Sequence, residues 1–129
     1  MVRKKAKKIL NVLELKNCEA SIVLVNNEKI KTLNLKYRNK NKSTNVLSFP
    51  MQKGEFSFIN PELLGDVVIS IEKCIIGAGK KDISFEEEFN TLLVHGFLHL
   101  AGYDREKGGR QAAKMRLKTS ELLAILKKG

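Results

Sequence analysis

The sequence predicts an α+β fold, in which a small mixed β-sheet packs with about five helices. Two observations carry this prediction: short β-branched runs typical of strands, and longer stretches with apolar residues at helical spacing. They alternate as helix, strand, helix, two strands and three helices, which gives layers of helices on a sheet. The chain has 129 residues and shows no internal repeat or low-complexity linker. We therefore expect a single domain spanning residues 1–129.

The first helix is predicted from Val2 to about Leu15, with a basic face and an apolar face. Such a helix lies either on a membrane surface or on its own domain. We favour packing on the domain, because the strand that follows needs a cover. That strand is the β-branched run from Ala20 to Asn27, which ends in an asparagine pair.

A second helix is predicted to run to about Tyr37, and the segment "TNVLSFPM" then predicts a strand. Pro50 indicates an edge position for this strand, because proline cannot donate a ladder hydrogen bond. After a predicted loop over residues 53–64, a third strand is expected from Asp66 in "DVVISI", with the aspartate capping a turn. A short helix is predicted from Cys74 to Ala78.

The clearest boundary lies at the start of "SFEEEFNTLLVHGFLHLAG". Ser84 followed three residues later by Glu87 is a capping box, and the acidic first turn complements the helix dipole. One stripe at helical spacing runs through Phe85, Phe89, Leu92, Gly96 and His99. Gly102 is predicted to stop this helix. A last helix is predicted from about Gly109 to Leu126, with Met115, Leu122 and Ile125 facing inward.

The charge of the chain indicates a polyanionic partner. There are 24 Lys+Arg against 14 Asp+Glu, and the net charge of +10 is large for so small a domain. Nucleic acid or an anionic membrane face would match it; solubility is the alternative explanation. Cys18 and Cys74 form no C-x-x-C pair, and no signal-peptide core follows the charged amino terminus. We expect a cytoplasmic protein.

The segment "HGFLHLAGYDREK" contains the two histidines of the chain, His95 and His99. Their spacing of four residues places both imidazoles on one helix face, where two ring nitrogens can reach one ion of zinc size. The alternative is a pair of packed, hydrogen-bonded rings. Gly96 between them leaves room for a ligand or a strand, and Gly102 turns the chain so that residues 104–106 can face the pair.

A peptidase site is excluded by the residue after the first histidine. Metzincin peptidases share the histidine and glycine spacing but carry a glutamate there as general base. In this chain the position holds Gly96, which cannot carry a proton.

Three blocks of the sequence resemble the YbeY endoribonuclease family. "HGFLHLAGYD" is similar to the family signature H-G-x-L-H-L-x-G-Y-D-H, whose three histidines bind a metal. "LNLKYRNKNKSTNVLSFP", residues 33–50, and "LGDVVIS", residues 64–70, resemble two further family blocks in the family order. The resemblance implies an α+β fold in which the metal-binding helix lines a cleft.

The resemblance also implies a function. It implies a metal-dependent endoribonuclease, specific for single strands, that acts in 16S ribosomal RNA 3′-end maturation and ribosome quality control. Zn²⁺ would be the cofactor. Ribosomal RNA, the small ribosomal subunit and assembly factors would be the partners, without a membrane or a preference for DNA. The family arginine falls on Arg38, whose planar guanidinium suits a phosphodiester. Thr44, Asn45 and Ser48 would line the same cleft and bind substrate, or else satisfy turn and strand backbone.

Arg105 departs from the family pattern, because it stands where the third histidine is expected. A guanidinium has no lone pair to offer and stays charged, so it cannot be a ligand. Asp104 is our candidate for the third ligand beside His95 and His99, with Glu106 as the other nearby carboxylate. Two hypotheses follow: an active ribonuclease with a remodelled metal site, or a catalytically weakened YbeY-like factor that binds RNA and the ribosome during assembly.

Overall fold

Eight elements follow one another in the predicted order. A computed structural model describes residues 2–15, 17–50, 63–103 and 109–128 of the chain. The five helices and three strands of these residues are α1 (Val2–Val12), β1 (Glu19–Val25), α2 (Asn27–Arg38), β2 (Val46–Pro50), β3 (Leu63–Ser70), α3 (Ile71–Lys81), α4 (Phe85–Leu100) and α5 (Gly109–Lys128). The predicted α+β class, with a small mixed sheet and five helices, is confirmed.

The sheet has the order β1-β3-β2. β1 runs parallel to β3, and β2 runs antiparallel to it. The apolar run Val67–Val68–Ile69 of the central strand is buried, as expected for a strand covered on both faces. β2 is an edge strand of this sheet and ends at Pro50, which confirms the prediction made from the proline.

Two apolar clusters lie on opposite faces of β3. Val67 and Ile69 face the main core, which is formed with α4, α1 and α5. Val68 faces the smaller cluster with Ile30 of α2 and Leu47 of β2. This alternation is the period of two expected of a strand. It places α2 and α4 on opposite faces of the same sheet.

The first helix packs on its own domain, as predicted. Ile9 is completely buried and Leu10 nearly so, both within the main core. Lys5 is also buried, and its ammonium group donates to Asn90 Oδ1 at 2.5 Å and to Glu86 Oε2 at 3.2 Å on α4. In the described part of the chain, no helix is long and apolar enough to cross a membrane.

Two sequence predictions need correction. α3 is longer than the predicted Cys74–Ala78, because Ser70 caps it from the end of β3 by accepting the amide of Lys73 at 3.2 Å. β3 begins at Leu63, so Asp66 lies inside the strand, paired with Ser21 and Phe49, and does not cap a turn. Residues 51–62, which contain most of the predicted loop, lie outside the described residues.

Candidate active site

α4 carries both histidines, and its amino end is fixed as the sequence predicts. Ser84 Oγ accepts the amide of Glu87 at 3.1 Å, and the Glu87 carboxylate accepts the amide of Ser84 at 3.3 Å, which completes the capping box. The helix then runs through the core to Leu100. Gly102 follows with a φ of +97°, a left-handed conformation that favours glycine. The chain therefore turns directly after the histidines, as predicted.

The two histidines differ in exposure. His95 is half-buried and His99 is exposed, one helical turn further along α4. The two imidazoles supply a pair of nitrogen donors on one helix face. Among the described residues, no group of three or more His, Cys, Asp or Glu side chains could hold a metal ion. Asp104, Arg105 and Glu106 lie outside the described residues, so the third ligand stays a prediction.

Gly96 allows α4 to lie unusually close to the sheet. A β-carbon at this position would lie 2.5 Å from Val67 Cγ1, which is closer than such atoms approach one another. The sequence predicts room beside the histidines for a ligand or a strand, and the described contact is with a strand. The peptide next to His95 is thus packed directly against the centre of the sheet.

Ser48 joins the edge strand to the same point of α4. Its side chain is buried and its hydroxyl donates to the Gly96 carbonyl at 3.0 Å. Ser48 pairs with Val67 across the sheet, so both side chains extend from the same face towards α4.

Arg38 reaches this strand from the other direction. α2 ends at Arg38 because Asn39 adopts the left-handed conformation, with a φ of 57°, and caps the helix. The exposed guanidinium donates from Nη2 to the Ser48 carbonyl, and its Cζ lies 5.6 Å from the centre of the Phe49 ring. Both contacts hold a rigid, permanently charged group at the edge of the sheet. The sequence indicated Arg38 but not these two partners.

The other two predicted substrate residues lie at the start of β2. Thr44 is half-buried and Asn45 is exposed. The Asn45 carbonyl accepts the amide of Ser70 at 2.9 Å, which fixes the beginning of the strand. In the described part of the chain, no hydrogen bond joins either side chain to Arg38. The structure therefore connects Arg38, Ser48 and the histidine helix through two hydrogen bonds. Thr44 and Asn45 directly precede β2 and do not take part in these bonds.

A cavity of about 370 Å³ lies between α1, α4 and α5. It is lined by Lys4, Lys5, Lys8 and Lys127, together with carboxylates and other polar residues of α4 and apolar residues of α5. Arg38, His95 and His99 do not line it. Its lysines contribute positive charge between α1, α4 and α5, but none of the predicted site residues lines the cavity.

Comparison with known proteins settles the family. A family model described as Endoribonuclease YbeY matches residues 1–127. The chain belongs to the Endoribonuclease YbeY family. The Endoribonuclease YbeY of Geobacter metallireducens is 40% identical over 98% of this chain and 85% of its own length. That of Aquifex aeolicus is 43% identical over 98% of this chain and 83% of its own length. The family resemblance noted in the sequence is thereby confirmed.

A solved structure supports the fold of this YbeY-family chain. The solution structure of a Thermotoga maritima protein aligns with a TM-score of 0.63 and 25% identity, covering 98% of this chain and 81% of that one. The chain therefore has the architecture of a known small protein along almost its whole length.

Proposed function

We propose that this chain is a metal-dependent endoribonuclease that cuts single-stranded ribosomal RNA. Its family membership supports endoribonuclease activity and RNA as substrate. The single observation that carries the proposal is the line of contacts from Arg38 through Ser48 to Gly96. It connects an arginine of α2, through the edge strand β2, to Gly96, the residue that follows His95 on α4.

Arg38 binds the phosphodiester in this proposal. A guanidinium has five N–H donors, and the Ser48 carbonyl engages Nη2. The remaining donors form a planar fork that matches phosphate oxygens, and a permanent charge stabilises the extra negative charge of the transition state. Because the group is exposed at the sheet edge, RNA can reach it without a rearrangement of the core.

His95 and His99 would hold Zn²⁺, together with Asp104 or a water molecule. The donor set fits: two imidazoles and one carboxylate are a combination that zinc hydrolases use. When bound, zinc supplies a Lewis acid and a water of lowered pKa. His95, half-buried beside the tightly packed Gly96, holds the first donor in place, while the exposed His99 presents the second.

The partners proposed are ribosomal RNA, the small ribosomal subunit and its assembly factors, in a role in 16S ribosomal RNA 3′-end maturation and ribosome quality control. The net charge of +10 suits a site on a ribonucleoprotein, where phosphates surround the docked protein. Base-specific recognition of DNA is not expected. We assign the protein to the cytoplasm, where ribosomes are assembled.

One observation favours a second candidate function. Arg105 stands at the third-ligand position of the family signature, and a permanent positive charge at that position would oppose metal binding. A chain with weakened metal binding would still bind RNA and act as an assembly factor without efficient cleavage.

Variants of Arg38 test the proposal. Arg38→Ala is expected to abolish cleavage of a single-stranded RNA and to leave the zinc content unchanged, because Arg38 acts on the phosphate. Arg38→Lys should restore little, since a point charge cannot reproduce the bidentate fork. Lys36→Ala is the matched control, because it removes one exposed charge from the same helix end and should cleave at the parental rate. Parental cleavage by the Arg38→Ala protein would overturn the assigned role; binding without cleavage by the parent would favour the assembly factor.

A further inference from the structure

Ser48 occupies a special position in the hydrogen-bond pattern of the sheet. The amide of Ser70 donates to the Asn45 carbonyl, so the facing residues 45 and 70 form a hydrogen-bonded pair. Along an antiparallel ladder, hydrogen-bonded and non-hydrogen-bonded pairs alternate. Ser48, three residues further along β2, is therefore in a non-hydrogen-bonded pair with Val67. Its own N–H and C=O groups point away from β3, towards the outer side of β2.

The carbonyl and the hydroxyl of Ser48 thus form hydrogen bonds in two different directions. The outward carbonyl of Ser48 accepts from Arg38, whereas its hydroxyl points towards the core and donates to the carbonyl of Gly96. The Gly96 carbonyl has two lone pairs and can accept this bond in addition to a helical one. The serine hydroxyl is satisfied and almost completely shielded from solvent. It is therefore not offered to a substrate.

The short serine side chain can reach α4 only because the helix lies so close. Val67, the cross-strand partner of Ser48, packs directly on the Gly96 backbone, where no β-carbon would fit. Ser48 and Val67 therefore fix the same residue of α4, one from the edge strand and one from the central strand. That residue, Gly96, directly follows His95.

We propose that Ser48 is a positioning residue that sets the distance and orientation between Arg38 and the histidine pair. This inference rests on the proposed function, and it replaces the expectation that Ser48 contacts RNA. Loss of the hydroxyl would leave the carbonyl for Arg38 but remove the hydrogen bond that joins the edge strand to α4. The phosphate-binding and metal-binding groups would then no longer be held in register. Misplacement of reacting groups by about 1 Å can cost roughly 100-fold in rate.

The test compares Ser48→Ala with Ser70→Ala. Ser70 is also fully buried in the same sheet, and its hydroxyl donates to Asn27 Oδ1 at 2.7 Å and caps α3. Its loss should destabilise the fold at least as much, yet it lies at the end of β3 outside the contact line. We expect Ser48→Ala to lower kcat for a single-stranded RNA by roughly 10- to 100-fold with KM kept. Ser70→Ala should cleave at the parental rate below its unfolding temperature, and Ser48→Thr, which keeps the hydroxyl, should recover part of the loss.

Three results would overturn the inference. They are parental kcat in Ser48→Ala, an equal loss in Ser70→Ala, or a raised KM at unchanged kcat, which would indicate direct contact with RNA. If Ser48→Thr fails to fold, the comparison of Ser48→Ala with Ser70→Ala still tests the inference.

A second measurement separates this inference from the proposed function. The chain has only two histidines, so their imidazole NMR signals are readily assigned. Ser48→Ala should shift the signals of His95 and His99, and Ser70→Ala should leave them in place, whether or not the protein cleaves RNA. Absence of cleavage by the parent would overturn the proposed function alone. Unmoved histidine signals in Ser48→Ala would overturn the positioning role alone.

Discussion

The first two turns of α4 and its last two turns belong to one helix but contact their surroundings in different ways. At the amino end, charged groups have partners. Lys5 donates hydrogen bonds to Asn90 and Glu86, and Lys81 Nζ lies 2.8 Å from Oε1 of the buried Glu88 carboxylate. At the carboxyl end, a glycine packs on the sheet and an exposed histidine follows it.

This difference indicates that the amino end of α4 contributes mainly to stability, whereas its carboxyl end contributes to metal binding and cleavage. The partnered amino end anchors α4 to α1 and α3, since Lys5 and Glu88 are buried charges and the loss of a partner would leave either one unsatisfied. The carboxyl end carries His95 and the exposed His99 and depends on that anchoring for their position. We therefore expect substitutions at the amino end to change stability with little effect on cleavage. Substitutions at the carboxyl end should change metal binding and cleavage.

The largest effect is expected beyond the carboxyl end, at Arg105. Arg105→His adds a third nitrogen donor to His95 and His99 and removes a positive charge. Complete structural zinc sites gain roughly 10 kcal/mol or more, so we expect zinc affinity to rise by several orders of magnitude and cleavage to rise with it. Competition against a chromophoric chelator measures the affinity of both proteins.

Asp104→Ala in the parent serves as the companion variant. It should weaken zinc binding if Asp104 is the third ligand. Tight, stoichiometric zinc in the parent, with no gain in Arg105→His, would contradict the prediction and place another group at the third position.

Gly96→Ala should affect both stability and cleavage. The added β-carbon would collide with Val67, and overpacking of this kind costs about 1–3 kcal/mol. Because α4 must move away from the sheet, cleavage should also fall. The control is Gly79→Ala on α3, where a β-carbon meets nothing within 4 Å and alanine should stabilise the helix by up to about 1 kcal/mol. Urea unfolding gives both values; equal stability of the two variants would show that the close approach does not matter.

Ser84→Ala tests the amino end. Loss of the capping box should lower the free energy of unfolding by about 1 kcal/mol and leave cleavage at the parental rate at low temperature. Ser84→Asp keeps a side-chain acceptor for the Glu87 amide and should retain most of the stability. A large loss of cleavage in the folded Ser84→Ala protein would break the division between the two ends.

The smallest effect is a difference in thiol reactivity beneath the amino end. Cys74 is fully buried, and burial, together with the nearby Glu88, raises the pKa of its thiol from 9.0 to about 11. Since the thiolate is the reactive form, iodoacetamide should label Cys74 much more slowly than the half-buried Cys18 below pH 9.0. The stabilisation from the neutral thiol is complete below pH 9.0 and is lost as the pH rises towards 11. Peptide mass mapping measures the labelling rates of Cys74 and Cys18 in the folded protein. Equal rates would show that the amino end of α4 opens freely.

The sequence was sufficient for the features that depend on neighbouring residues. The capping box at Ser84, the turn at Gly102 and the edge position of Pro50 each follow from local backbone chemistry, and all three are confirmed. The sequence underestimates the length of α3, because its cap, Ser70, belongs to the preceding strand and the helix continues past Ala78 to Lys81.

Contacts between distant residues could not be predicted in the same way. Ser48 meets Gly96 across 48 positions, and Lys5 meets Asn90 across 85. Neither pairing has a local pattern, since each depends on how the sheet and the helices pack. From the sequence alone, Lys5 is expected to be a solvated charge on a basic helix, and only the position of α4 shows that it is buried.

Cleavage of a single-stranded RNA before chelation, after chelation and after readdition of zinc tests the central claim most directly. A His95→Ala, His99→Ala double variant, purified in the same way, measures contaminating nuclease. We predict that the parent cleaves, loses activity on chelation and recovers it with zinc, and that the double variant is inactive throughout. Cleavage that persists in the fully chelated parent, or that is equal in the double variant, would contradict a metal-dependent centre on α4.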